Sequence, residues 1–410
     1  MKYRVTCLTP TLVGDGQRLS PIDYMVWRDH INVLDQRRIF KILAKGPRLD
    51  GYLAQLKKAE KLDFASWGGF AQNYAGRRIP FEHASSIALW ERAYADDLFI
   101  PTFATGASGP YLPGTAIKGA LRTGAVFDRW SEATIRDLAE RAGGERIPRY
   151  ITSKAEESVL GGAGANRVKR VAPSDSGVVE YGGMKVYLMR VATLVAKQAS
   201  RPAPAARGPV RGPAQGLLAE SLMAHGFKPS VAPGVVAPST GDNKFELGWK
   251  SARGTVEARR VDESTPMFVE MAAPGTAFEG AWREKSAQDR AKLFQPANRY
   301  AEELIARHKD YAARTGLTRL SDTLAKLETS LDGARRQGNG CVLSIGWGGG
   351  LLGKAAYLNT EDEFYRKILR SLPLYQRAIQ TGMPFPKTRR VVFEQGQPAS
   401  LPGWVLLEVV

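Results

Sequence analysis

The sequence predicts an α+β fold in which helices cover one face of antiparallel sheets. Two patterns predict it. Short segments of period-two alternation recur along the chain, as at residues 3–8, 184–195 and 404–409. Between them lie single stretches of helical period, the clearest at 298–314 and 321–336. A split βαβ unit is the simplest module with that order of elements.

Taken in order, residues 3–8 run as a strand into Thr9-Pro10-Thr11-Leu12-Val13-Gly14-Asp15-Gly16, a turn with two glycines. Residues 23–27 and 30–34 read as a strand pair across a polar turn, and 35–43, 49–62 and 84–95 read as helices. Further helices open at Thr115 and near Ser131. A glycine-rich stretch at 161–183 carries Arg167, Lys169 and Arg170 ahead of Ser174-Asp175-Ser176. The strand at 184–195 places Tyr187, Met189 and Val191 on alternate positions. From 198 to 243 Pro, Ala, Gly and Arg dominate, which cannot build a core, so a flexible insertion with a helical patch at 216–224 is expected. Strands follow at 254–260, 267–271 and 277–282, a helix at 363–372, and closing strands at 389–394 and 404–409. The expected division is 1–197, the insertion 198–243, and 244–410.

The 410 residues carry a net charge of +17, a field that suits nucleic acid or an anionic surface. No long uncharged apolar run and no signal peptide are evident, so polyanion binding in the cytoplasm is expected, with no membrane. Cys7 and Cys341 lie in apolar strands and read as buried thiols. The four histidines (His30, His83, His225, His308) are scattered, and no Cys/His cluster has metal spacing, so no cofactor is expected.

Residues 111–124 read Tyr-Leu-Pro-Gly-Thr-Ala-Ile-Lys-Gly-Ala-Leu-Arg-Thr-Gly. Pro113 and Gly114 end an extended segment, and Thr115 is expected to cap the helix that follows. Lys118, Arg122 and Arg129 then share one face, extending the positive field of a helix N-terminus along a phosphate backbone. The competing reading is a capped amphipathic helix with a solvated basic face.

Residues 338–354 read Gly-Asn-Gly-Cys-Val-Leu-Ser-Ile-Gly-Trp-Gly-Gly-Gly-Leu-Leu-Gly-Lys. A buried strand at 341–345 runs into Gly346, Gly348, Gly349 and Gly350, whose amides can form an anion-binding nest closed by Lys354. So many glycines after a strand point to a ligand coming close, against the plainer reading of a flexible turn. Residues 348–354 also fit G-x-x-x-x-G-K, but Ala355 stands where a P-loop needs Ser or Thr for magnesium, so nucleotide hydrolysis ranks last.

These motifs converge on one family. Residues 111–122 resemble the P-G-S-S-[IL]-K-G-[AV]-[LI]-R signature of the RAMP superfamily of CRISPR-associated proteins, with Thr115-Ala116 where two serines are usual. Thr9-Pro10 with Gly14 and Gly16 resembles its opening strand and turn, and Ser174-Asp175-Ser176 its central S-D-S element. Val269-Glu270 through Pro274-Gly275-Thr276 to Phe278 is similar to its v-E-x-[ILV]-p-P-G-[TS]-x-F hairpin. Gly346 to Gly350 matches its glycine-rich loop, and Pro386-Lys387-Thr388-Arg389 a segment that follows it. Length, motif order and Asp23-Tyr24 are most similar to the subunit that caps the crRNA 3′ end in type III-A (Csm) effector complexes.

The resemblance implies two ferredoxin-like (RRM-like) modules with helical insertions, and a non-catalytic scaffold that holds crRNA beside repeated backbone subunits, with target RNA nearby. RNA contacts are expected from Gly14, Gly16, Thr115, Lys118, Arg122, the glycines 346 and 348–350, Lys354, Lys387 and Arg389. Trp347 and Tyr111 are candidates to stack on an unpaired base, though core packing is the commoner use of such residues. The alternatives are a RAMP endoribonuclease that processes precursor crRNA, with His30 and His83 as its early acid–base candidates, or a repeated backbone subunit. Asp15 is the carboxylate with an open question of a role in cleavage.

Overall fold

A computed structural model describes residues 1–46, 49–58, 73–142, 151–162, 166–197, 245–251, 260–380 and 383–410. The chain opens with β1 (Lys2–Cys7), the hairpin β2 (Tyr24–Trp27) and β3 (His30–Leu34), helices α1 (Gln36–Leu43) and α2 (Leu49–Lys58), and β4 (Ala75–Pro80). Helices α3 (Ser85–Arg92), α4 (Gly114–Phe127), α5 (Glu132–Ala142) and α6 (Ile151–Leu160) precede β5 (Val171–Ser176) and the long β6 (Met184–Ala196). Next come β7 (Phe245–Trp249), β8 (Met267–Ala272), β9 (Ala277–Glu284), α7 (Ala287–Thr315), α8 (Thr318–Gln337) and β10 (Gly340–Ser344). Last are α9 (Glu363–Ser371), α10 (Pro373–Gln380), β11 (Thr388–Glu394), β12 (Gln397–Ser400) and β13 (Trp404–Val409).

Among the described residues two five-stranded antiparallel sheets carry the molecule, which confirms the α+β class. The first has the order β10-β13-β1-β9-β5. Tyr3 faces Gly280 on one side and Val409 on the other, and Cys341 faces Leu407. The second sheet is built on β6, which pairs with β8 over Met184–Met189, with β7 over Ala192–Ala196, and with β11 along its other edge. β12 extends β11. A smaller sheet, β2-β3-β4, lies near the amino terminus. Each large sheet draws strands from both sides of the insertion at 198–243, so the expected boundaries do not separate the two sheets.

Helices α7 and α8 pack against each other and against the sheets because each carries an apolar stripe at three- and four-residue spacing: Leu293, Ala297, Leu304 and Ile305 on one, Leu320, Leu324, Leu327 and Leu331 on the other. Trp282 of β9 meets Phe294 edge-on at 5.7 Å, and Phe103 stacks on Phe278 at 5.4 Å. Burying one such ring stabilises the fold by about 1.5–3 kcal/mol. Cys7 and Cys341 are buried free thiols, as read from sequence, and burial pushes the Cys7 thiol up to about 12.

Three expectations change. α7 starts at Ala287, not 298: Ser286 caps it by accepting the Asp289 amide, and Pro296 lies inside the helix. The helix expected to open at Thr115 opens one residue earlier, with Pro113 as its capping residue. α6, α10 and β12 were not anticipated. The insertion at 198–243, with its helical patch, and nearly all of the strand expected at 254–260 lie outside the described residues.

Candidate nucleic-acid interface

The glycine loop begins where β10 ends at Ser344. Ile345 donates its amide to Gly403 and Trp347 donates to Leu12, each at 2.8 Å, so the loop is sewn between two crossing backbones. A Cβ at Gly346 would lie 2.0 Å from the Leu12 carbonyl oxygen. One at Gly348, where φ is +109°, would lie 2.4 Å from a ring carbon of Pro402. Close packing therefore requires these two glycines, Gly346 against the Leu12 backbone and Gly348 against the Pro402 ring, a reason apart from the approach of a ligand expected from the sequence. Gly350 is exposed with open space around it, and among the described residues the amides of Gly349 and Gly350 meet no acceptor. The amides of Gly353 and Ala355 return to Gly349 and Leu351, a turn that projects Lys354 into solvent. The Tyr300 hydroxyl on α7 pins this turn, donating to the carbonyls of Leu352 (2.5 Å) and Ala355 (3.2 Å). No helix follows Lys354 until Glu363, which removes the P-loop reading on a second ground.

The facing wall is the start of β11. A cleft of about 730 Å³ opens between the two, within the roughly 300–1,000 Å³ of small-molecule sites. It brings together Trp347, Gly348, Gly349, Gly350, Lys354, Lys387 and Arg389 of the predicted set. Arg389 is not free to hold a phosphate with its whole fork. Its Nε donates to His308 Nδ1 at 3.1 Å and its Nη1 to the carbonyls of Pro386 and Thr388, both at 2.8 Å, while Tyr311 lies under the guanidinium at 4.6 Å. It shapes the wall. The Arg390 guanidinium lies over the Trp347 ring at 4.8 Å, and the partly buried indole also packs against the core.

The remaining predicted residues do not reach the cleft. Thr115 does not cap α4: the Gly114 amide donates to Asp175 Oδ1 at 2.8 Å. Ser176 Oγ accepts from Leu112 and Ser174 Oγ from Ala281, both at 2.9 Å, so the S-D-S element stitches α4 to β9. With a carboxylate already at its N-terminus, α4 is not an open phosphate site. Ala116, Gly119, Ala120 and Thr123 turn toward the glycine loop and leave a hollow of about 240 Å³ against it. Lys118 and Arg122 lie on a different face, Arg122 pairs with Glu156 of α6, and Arg129, beyond the helix end, donates to the Val159 carbonyl at 3.1 Å. Gly14 and Gly16 sit on the loop next to Leu12, outside the cleft lining.

A family model described as the RAMP superfamily matches residues 4–352, a span that includes α4, the S-D-S element and the glycine loop. The chain belongs to the RAMP superfamily. Two solved structures share this RAMP fold. One is a chain of a cryo-EM structure of a Csm–crRNA–target RNA ternary complex of the type III-A CRISPR-Cas system, at TM-score 0.61 and 17% identity over 100% of both chains. The other is the crystal structure of T. onnurineus Csm5, at TM-score 0.52 and 16% identity over 98% of this chain and 99% of that one. No curated protein sequence matches the chain.

Among the cleft residues of this RAMP chain that were missed from sequence are Lys250, His308, Tyr375 and Arg390. Arg390 adjoins the Lys-Thr-Arg segment and was within reach of that motif; His308 sits in an ordinary helical pattern and gave no signal. The two early histidines lie elsewhere, His30 against Asp29 at 2.7 Å and His83 against Ser85 at 2.9 Å, so neither forms an acid–base pair at the glycine loop. Among the described residues no group of three His, Cys, Asp or Glu could hold a metal ion, and no helix is long and apolar enough to cross a membrane.

Proposed function

We propose that this RAMP chain is a non-catalytic RNA-binding subunit of a type III CRISPR effector complex. It holds the crRNA backbone near the 3′ end and caps the row of backbone subunits, with target RNA close by, in the cytoplasm. One observation carries the RNA reading: among the described residues the cleft joins loop amides without acceptors to Lys250, Lys354 and Lys387 beside the partly buried Trp347, and no carboxylate lines it. Such a wall neutralises phosphates and stacks a base without demanding a sequence, which suits a subunit that accepts any guide. The likeness in fold to Csm5 and to a chain of a Csm–crRNA–target RNA complex supports a place in such an assembly.

Motif order supports the terminal position, and symmetry says what it needs. A head-to-tail contact propagates unless one member lacks a face, and residues 35–100 and 198–243 are the candidates to block it. Native mass spectrometry of the reconstituted ribonucleoprotein tests this. One copy per guide, at one end, is expected; adjacent copies on one guide refute capping. Incubation with labelled RNA, with and without divalent metal, tests the non-catalytic claim, and metal-independent cleavage overturns it.

A further inference from the structure

His308 forms part of the cleft wall and is 4% exposed. Its Nδ1 accepts the Arg389 Nε proton at 3.1 Å. Arginine does not give that proton up, so Nδ1 is the bare nitrogen and Nε2 carries the hydrogen. Trp404 meets the ring edge-on at 6.2 Å and fixes its plane. Burial, and the adjacent Arg389 charge, hold the imidazole well below its ordinary range, so it stays neutral. Among the described residues Nε2 has no hydrogen-bond acceptor.

The charged side chains of the same wall are alike in one respect. Lys250, Lys354, Lys387, Arg389 and Arg390 can only donate. A ligand that presents acceptors satisfies this wall, whereas an amino group pointing at it meets another donor. Trp347, backed by Arg390, gives a base a surface but stacks on any base equally. A directional contact has to come from elsewhere in the cleft.

We propose that His308 reads one RNA base in the cleft, donating Nε2–H to the carbonyl oxygen at position 4 of a pyrimidine, so that this position takes uridine in preference to cytidine. The proposal rests on the cleft being the RNA site. Uracil and cytosine have the same size and stack alike, but the O4 acceptor of uracil is an amino donor in cytosine. The discrimination acts at a single nucleotide and leaves the rest of the guide free in sequence.

Fluorescence anisotropy with short oligo(U) and oligo(C) tests it on the full chain. Wild type is expected to bind oligo(U) about fivefold more tightly, the worth of one net hydrogen bond. In His308→Ala the ratio falls to near one through weaker oligo(U) binding, and His308→Gln, which returns an N–H near the place of Nε2, restores it. A wild-type ratio near one, or a ratio that survives His308→Ala, overturns the proposal. Replacing uracil O4 by sulfur probes the same contact without a mutation: affinity drops toward the oligo(C) value, and unchanged affinity is a refutation. Lys387→Ala separates this from the parent reading. Weaker binding of both oligomers keeps the cleft as the RNA site whatever the ratio, and unchanged binding of both removes the cleft reading itself.

Discussion

The Asp175 carboxylate caps the helix that opens at Gly114, accepting that residue's amide at 2.8 Å. Two motifs far apart in sequence thus form one structural unit, and its negative charge occupies the place where a phosphate was expected. Asp175→Ala is expected to lower unfolding free energy by about 1–2 kcal/mol, the usual loss for a removed cap. Asp175→Asn, which keeps an acceptor, loses less. Urea denaturation of both variants is the check, and equal stability of Asp175→Ala and wild type contradicts the capping role.

Salt dependence should separate the cleft lysines from the α4 cations. For single strands each neutralised phosphate adds roughly 0.7 to the log–log salt slope. Lys354→Ala and Lys387→Ala are each expected to reduce the slope by about that amount. The double variant Lys118→Ala with Arg122→Ala should change it less and leave the fold intact, because the Arg122–Glu156 pair lies at the surface and such pairs contribute about 0–1 kcal/mol. A larger slope change in the α4 variant than in the lysine variants would place the RNA on the helix face instead.

Glycines of one loop should respond differently to substitution. At Gly348 an alanine meets Pro402 and takes a φ of +109°, so Gly348→Ala should cost roughly 2–4 kcal/mol or fail to fold. Gly350 has a φ of +65° and open space, so Gly350→Ala should cost only about 1–2 kcal/mol. Thermal melts compare them; equal losses would mean that packing does not distinguish the two positions.

Acid should weaken the fold through His308. Its folded-state pKa lies well below the ordinary histidine value of about 6.5, so below that pH the unfolded chain binds a proton that the native chain refuses. Stability is full above about pH 6.5 and falls as pH drops toward the folded pKa, by about 1.4 kcal/mol per unit. Denaturation at pH 7.5 and 5 should show this loss, and His308→Gln should flatten it. An identical pH slope in wild type and variant would assign the acid sensitivity to other groups.

Much of the fold was legible from period alone. Residues 184–195 and 404–409 alternate as strands and are strands, because sheet partners and helices bury their apolar positions. Pro296 hid the first turns of α7, since proline inside a helix normally ends it. The site was half legible. The glycine loop announced itself by composition and Lys387 by the resemblance of its Pro-Lys-Thr-Arg segment, and the cleft joins them. What composition could not show is which groups are already occupied: Asp175 fills the α4 terminus, Glu156 engages Arg122, and Arg389 is committed to His308 and two carbonyls. Long-range partners have no signature in local pattern.

Strand β1 lies between β9 and β13, so the chain's first strand is flanked by two that are made late. During synthesis β1 waits, both edges unpaired, until residues 277–284 and then 404–409 have left the ribosome. Exposed edges of apolar strands recruit other strands, and contacts of such long sequence separation form slowly. A chain without β13 would leave β1 and β10 each with an unpaired edge, and such edges invite pairing with other chains.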